Sequence, residues 1–228
     1  FPNRVCSIYE GCERLNFITA VSTIYVAAFV LIYIVAACKN VRIKATQLYA
    51  LTFGFILSLS IIAFFTKPYK DDDLTFYYQL LQEMRQNGLR WTLTESIYAS
   101  DVVVNLYFYL IAWTGVFQLL PALSIAIIYS LLFASLYQIQ NRYKTSPYSL
   151  LFFLIVHFSF LFFRWTLSGI RNYLAFALFA YAVIREFALK KQGPLNWVLY
   201  LTATFTHFSL AFFLLIRVLC SRRLYGYV

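Results

Sequence analysis

The sequence predicts an all-α protein. It reads as a polytopic transmembrane bundle of about six to eight membrane helices, counting re-entrant segments and half-helices, with one amphipathic helix outside the membrane. Three observations predict it. The 228 residues are 62% hydrophobic and 12% charged, with a mean hydropathy of +0.70, against about 25% charged residues in a typical soluble domain. Apolar runs of about 20 residues recur, the length that crosses a bilayer as a helix. The short alternating segments of a membrane β-barrel do not occur. The whole chain, 1–228, reads as one transmembrane domain. It begins at Phe1 and ends just after Arg222 and Arg223, which suggests a fragment of a longer protein.

Each element follows from its local pattern. Residues 1–16 are polar, of mixed charge, and lack the apolar core of a signal peptide. Phe17–Cys38 is the first expected span and Ala45–Phe65 the second, joined by a tight basic loop. Residues 66–101 form a long external loop. Within it Leu74, Tyr77, Tyr78, Leu81 and Met84 recur at helical spacing, which predicts the amphipathic helix. Asp71, Asp72 and Asp73 stand at its start, where carboxylates suit the helix dipole and cap free N–H groups. Asn87 and Gly88 mark its stop. Over 102–138 two readings compete: two tight spans broken near Gly115 and Pro121, or one full span, Phe117–Gln138, after a re-entrant or interfacial helix. The second keeps every basic loop on one side and is the expected one. The aromatic run Ser149–Phe163 ends at Arg164 and Trp165. Thr166–Gly169 interrupt before a span Ile170–Phe187, and the basic loop Leu189–Pro194 follows. The last run, Leu195–Val218, is interrupted at Thr204–His207. It reads as one long span or as two half-helices meeting at His207.

The net charge of +10 is a topology signal. With the loop of Lys39, Arg42 and Lys44 taken as cytoplasmic, alternation puts eleven basic residues and one acid, Glu186, on that side. The other eight basic residues share the outer side with eight acids. Such a bias attracts anionic membrane lipids, and nucleic acid is not an expected partner. No phosphate-binding glycine loop, Walker motif or dinucleotide fingerprint is present, so no nucleotide bound by this chain supplies energy. Cys6 and Cys12 fall outside, where a disulfide between them is open. With no histidine nearby they do not read as a zinc site.

Two stretches hold the residues that could do chemistry: SGIRNYLA, Ser168–Ala175, and FTHFSL, Phe205–Leu210. Each sets an ionisable side chain, Arg171 or His207, in an apolar run. Such groups cost several kcal/mol at membrane depth and mark polar cavities by default. Arg171 and Arg164 fall at the outer ends of adjacent spans, where two guanidiniums can clamp a diphosphate bidentately. Snorkelling to the headgroups explains Arg164 as well. His207 lies near Thr204, Thr206 and Ser209. Its neutral imidazole can take a proton from a hydroxyl nucleophile, or it can simply be a hydrogen-bonded packing residue. His157, without polar neighbours, reads as structural. The three aspartates can position a sugar hydroxyl or a cation, but helix capping already accounts for them. Glu95 and Asp101 read as ordinary loop charges. The 24 phenylalanines and 19 tyrosines suit interfacial belts and stacking on sugar rings.

These stretches resemble the EpsG family of exopolysaccharide proteins, within the wider set of Wzy-type polysaccharide polymerases. SGIRNYLA is similar to the family's small-small-Ile-Arg-polar-x-Leu-Ala pattern, and ATFTHFSLAFFLL to its Phe-x-His-x-Ser-x-hydrophobic pattern. DDDLTFYY resembles its Asp-Tyr-x-x-Tyr element: Asp73 and Tyr77 keep the spacing, and Leu74 replaces the usual aromatic. Glu95 matches the acidic residue that commonly precedes the next apolar stretch. The likeness covers about residues 20–218. It implies glycosyl transfer at the outer face of the bacterial cytoplasmic membrane, between an undecaprenyl-diphosphate-linked glycan donor and a lipid-linked repeat-unit acceptor. A chain-length regulator or other export-complex proteins are the further partners implied. In that chemistry His207 and Arg171 are catalytic, and Arg164, Asp73, Tyr77 and Glu95 bind substrate. No metal or cofactor is expected, because arginines supply the positive charge the leaving group needs. The competing classes are a flippase for lipid-linked sugars and a non-catalytic subunit of an export complex.

Overall fold

The structure, a computed structural model, describes residues 24, 27–29, 31, 45–68, 72–144 and 163–219. Among them every regular element is helical: α1 Ala45–Phe65, α2 Asp73–Thr94, α3 Val102–Thr114, α4 Leu119–Tyr143, α5 Phe163–Ser168, α6 Ile170–Val183, α7 Pro194–Thr206 and α8 Ala211–Leu219. A π-helical turn, Ile184–Ala188, extends α6, and a 3₁₀ turn, Phe208–Leu210, precedes α8. One helix among the described residues, α4, is long and apolar enough to cross a membrane. Thr52–Phe65, Val102–Thr114 and Phe208–Leu219 are shorter apolar helices. The first expected span lies largely outside the described residues. So do most of Ser149–Phe163, the basic loop at Lys39–Lys44, His157, Asp71 and all four cysteines.

The chain, read from its sequence as one bundle, gathers into two compact units. One comprises Phe1–Gln79 and Phe117–Ile170, the other Leu80–Val116 and Arg171–Val228.

In the first unit α1 packs on α4. Thr52, Phe55, Leu59 and Ala63 are buried at helical spacing, while Phe53, Leu57, Ile61 and Phe65 stay exposed one step around. Phe29 stacks on Phe55 at 4.7 Å between centroids and meets Phe133 edge-on at 5.4 Å. Offset and edge-to-face aromatic pairs of this kind add about 0.5–1.5 kcal/mol each beyond their area. Thr52 Oγ1 pairs with Tyr137 Oη across α1 and α4, while Ser60 and Ser135 turn their hydroxyls back on their own backbone. Ser60 Oγ donates to Ile56 O at 2.9 Å and Ser135 Oγ to Leu131 O at 2.9 Å. A hydroxyl satisfied this way presents no open donor to an apolar solvent.

The helix α2 buries Leu74, Tyr77, Leu80, Leu81 and Met84, close to the face its periodicity predicts. Gly88 interrupts it with φ 82°, after which the chain turns helical again to Thr94. The expected stop is therefore a kink. The break near Gly115 is real: Gly115 adopts φ 75° at the end of α3 and its N–H bonds Ala112 O at 3.1 Å. A Cβ there would sit 2.8 Å from Arg85 Nη1, the movable tip of a long side chain, so it is the left-handed conformation that calls for glycine. Pro121 does not break the chain. It falls in the first turn of α4, where a missing N–H costs nothing.

In the second unit α3 packs against α7, and Ala175, Ala203 and Leu210 form a small buried core with Leu178 and Phe179 against it. Near the start of α7 a polar knot ties the π-helical turn to its neighbours. Arg217 Nε donates to Glu186 Oε2 at 2.6 Å, Arg217 Nη2 to Glu186 Oε1, and Tyr200 Oη to Glu186 Oε2 at 2.9 Å. Asn196 accepts from Arg185 Nε at 3.1 Å and donates to Lys191 O at 2.6 Å.

Candidate functional site

The last apolar run is two helices meeting at one residue. Thr206 ends α7, His207 is extended at φ −149° and ψ 106°, and Phe208 begins the 3₁₀ turn. The joint is closed locally: His207 N–H bonds Ala203 O at 3.0 Å, and Leu210 N–H bonds His207 O at 3.0 Å. Phe208 N–H would be left over, as the first donors of any helix are. Asp101 takes it, Oδ1 accepting at 2.9 Å.

Asp101 is the residue that sequence reasoning missed. It stands at the N-cap of α3, where an aspartate normally accepts from its own helix. Its side chain makes no such bond. Instead Oδ1 receives Phe208 N–H and Oδ2 receives Arg171 Nη1 at 2.7 Å. Its side chain is 3% exposed, so it is not an ordinary loop charge. His207 Nδ1 lies 3.8 Å from the same Oδ2, within ion-pair range but beyond a hydrogen bond. A signal existed. Asp101 abuts the apolar run Val102–Val104, the same juxtaposition that singled out Arg171 and His207.

The turn that presents Asp101 is fixed from both sides. Asp101 N–H donates to Tyr98 O at 2.7 Å, Asn105 N–H to Asp101 O at 3.0 Å, and Asn105 Nδ2 to Tyr98 O at 2.6 Å. The Tyr98 ring is also the bed of the arginine, with Arg171 Cζ 3.9 Å from its centroid, a stacking distance for a guanidinium. Arg171 Nε is buried without a partner among the described residues. Asp101, Arg171 and His207 thus converge within the second unit, although 70 positions separate Asp101 from Arg171 and 107 separate it from Phe208. Arg171 and His207 remain 19% and 21% exposed over a buried carboxylate. The cluster can neutralise itself at rest and still reach a ligand with a cation and an imidazole.

The other expected site residues are placed as follows. Thr204 and Thr206 do not offer hydroxyls to His207; they donate to Tyr200 O at 2.9 Å and Thr202 O at 2.7 Å. Asp73 is exposed in the first turn of α2 and accepts from Ser168 Oγ at 3.3 Å, and Tyr77 is buried one turn on; all three belong to the first unit. The carbonyl of Asp72 accepts Thr75 N–H at 2.9 Å. Glu95 is exposed in the turn after α2. Arg164 lies on α5, with its side chain outside the described part. The expected interruption at Thr166–Gly169 shrinks to Gly169, since Thr166, Leu167 and Ser168 are helical. Comparison with protein-family models, with curated proteins and with solved structures finds no match for this chain.

Proposed function

We propose that this protein is a multi-pass glycosyltransferase of the bacterial cytoplasmic membrane. It joins lipid-diphosphate-linked oligosaccharide units into a surface polysaccharide at the outer face. The observation that carries this reading is the convergence of Arg171 and His207 on one buried carboxylate, Asp101. Polymerisation needs a cation for a departing diphosphate and a base for an attacking sugar hydroxyl. Both stand here, each partly exposed. The acceptor hydroxyl oxygen attacks the donor's anomeric carbon as the bond from that carbon to the diphosphate oxygen breaks. The bonding electrons leave with the lipid diphosphate, beside Arg171. The hydroxyl proton passes to His207. Asp101 faces Nδ1, which leaves Nε2 to receive it.

The membrane setting draws support from α4, from the three shorter apolar helices, and from their exposed faces. On α3, Leu106, Leu110 and Trp113 are turned outward, as are Phe53, Leu57, Ile61 and Phe65 on α1. Faces of this kind suit lipid. A flippase for the same lipid-linked sugars is the second reading, favoured by the broken helix at His207, a feature transporters use to bind ions and substrates.

The test is purified full-length chain with a synthetic polyprenyl-diphosphate oligosaccharide. A ladder of products supports the transferase. Single repeat units moved across a vesicle wall without a ladder support the flippase.

A further inference from the structure

Arg171 meets a phosphate with fewer open donors while it holds Asp101. A guanidinium offers two forks, one from Nη1 and Nη2 and one from Nε and Nη2. Nη1 is committed to Asp101 Oδ2 at 2.7 Å, and Nε is shut away from solvent without a partner among the described residues. The Nε–Nη2 fork is therefore closed to a ligand, and the Nη1–Nη2 fork shares Nη1 with Asp101. The Tyr98 ring centroid lies 3.9 Å from Cζ, and a cation–π contact sets no in-plane direction for the guanidinium. Turning presents a whole fork to a ligand and vacates Oδ2. The carboxylate itself stays in place, because Oδ1 keeps Phe208 N–H at 2.9 Å. The group waiting beside the vacated oxygen is His207 Nδ1, 3.8 Å away. It needs to close by roughly 0.8 Å to hydrogen-bond.

We infer that Asp101 is a two-position acceptor that couples diphosphate binding to arming of the base; this rests on the reading of Arg171 as the diphosphate group. At rest Asp101 neutralises Arg171. The bound diphosphate replaces it as the counter-charge of Arg171. Oδ2 then accepts Nδ1–H of His207, which fixes the tautomer and enriches Nε2 for the incoming proton. After proton transfer the imidazolium is the counter-charge of Asp101. In the armed state the buried carboxylate holds two hydrogen bonds, from Phe208 N–H and His207 Nδ1–H, but no counter-charge, and that deficit favours protonation of Nε2. The base is armed only when a leaving group is held.

The experiment uses the full chain in nanodiscs and a short-chain polyprenyl diphosphate without sugar as the probe. The chain has two histidines, so ¹⁵N-histidine spectra of a His157→Gln background report His207 alone. Probe binding to this background should move the Nδ1 resonance toward a strongly hydrogen-bonded donor, and in Asp101→Asn the resonance should stay still. Asp101→Asn should bind the probe about tenfold tighter, since Arg171 no longer leaves a carboxylate, and yet form polymer roughly a hundredfold more slowly. If the probe binds in an Arg171-dependent way while the His207 resonance does not move, the coupling is overturned and the diphosphate reading stands. If the wild-type chain does not bind the probe, or Arg171→Ala binds it equally, the diphosphate reading falls and takes the coupling with it. The spectrum without Asp101→Asn decides the question even if that variant fails to fold.

Discussion

Among the described residues the second unit holds two arginine–carboxylate pairs, and they differ in how fully their donors and acceptors are used. Arg217 meets Glu186 with two arms, Tyr200 adds a third donor, and the rings of Phe187, Trp197 and Tyr200 lie 5.3–5.9 Å from the guanidinium carbon. Arg171 meets Asp101 with one arm, leaves Nε unpaired, and shares its acceptor's neighbourhood with an imidazole. The side chains of the first pair are 14% and 11% exposed, those of the second 19% and 3%. Burial of charge does not separate them. What separates them is what each pair leaves undone. A saturated pair is a staple. A pair with a spare donor, a spare acceptor direction and an imidazole alongside is the one we propose as a site.

The sharpest way to break this contrast is Arg171→Ala. It should abolish ladder formation while the chain still inserts in the membrane, and Arg171→Lys, which keeps charge but loses the fork, should slow it by roughly a hundredfold or more. A normal ladder from Arg171→Ala would put both pairs in the staple class.

His207→Gln keeps hydrogen-bonding capacity but cannot take a proton. Turnover should fall by roughly a hundred- to ten-thousand-fold while the polyprenyl diphosphate still binds. In the wild type, turnover should decline as pH drops through the imidazole pKa, because only the neutral ring is a base. The residual rate of His207→Gln should lack that acid limb. Damage confined to thermal stability would make His207 a packing residue.

At the staple the pattern reverses. Glu186→Gln leaves Arg217 uncompensated and should cost about 3 kcal/mol or more of stability, read by thermal unfolding in detergent, with turnover near wild type. Adding Arg217→Met should recover most of the loss. A large drop in turnover at unchanged stability would blur the distinction.

The smallest effect belongs to Tyr78. Burial pushes its phenol up to about 12, and its hydroxyl is buried without a partner among the described residues. Tyr78→Phe should be neutral or stabilising by up to about 1 kcal/mol in the same unfolding assay. Tyr78 lies outside the Asp101–Arg171–His207 cluster, and this variant calibrates the orphan Nε of Arg171.

Periodicity made much of the fold legible. The bounds Ala45–Phe65 coincide with the expected span, because an uninterrupted apolar run has one helical solution. The buried face of α2 and the breaks at Gly115 and His207 follow from local spacing and from glycine or polar punctuation. Arg171 and His207 were visible as ionisable groups in apolar runs. Asp101 was not, because an aspartate before an apolar helix is equally well explained as a cap. Only a contact 70 positions away distinguishes the two roles. Gly88 misled for a related reason: a left-handed glycine can end a helix or merely bend it, and the packing of the following turn decides.

The extended backbone at His207 also bears on how the chain is made. With α7 at 13 residues and α8 at 9, each half is at most about 20 Å long and falls short of a hydrocarbon core of about 30 Å. In the membrane setting proposed above, the two halves are accommodated together, with an amide between them that neither helix matches. Its acceptor is synthesised first. Asp101 leaves the ribosome 107 residues ahead of Phe208, roughly 5–20 s at ordinary elongation rates. Arg171 emerges within that interval, so the ion pair can exist before the segment that completes it. The nascent chain thus carries the acceptor for the α7–α8 joint before that joint exists, and of the three clustered residues His207 is the latest to emerge.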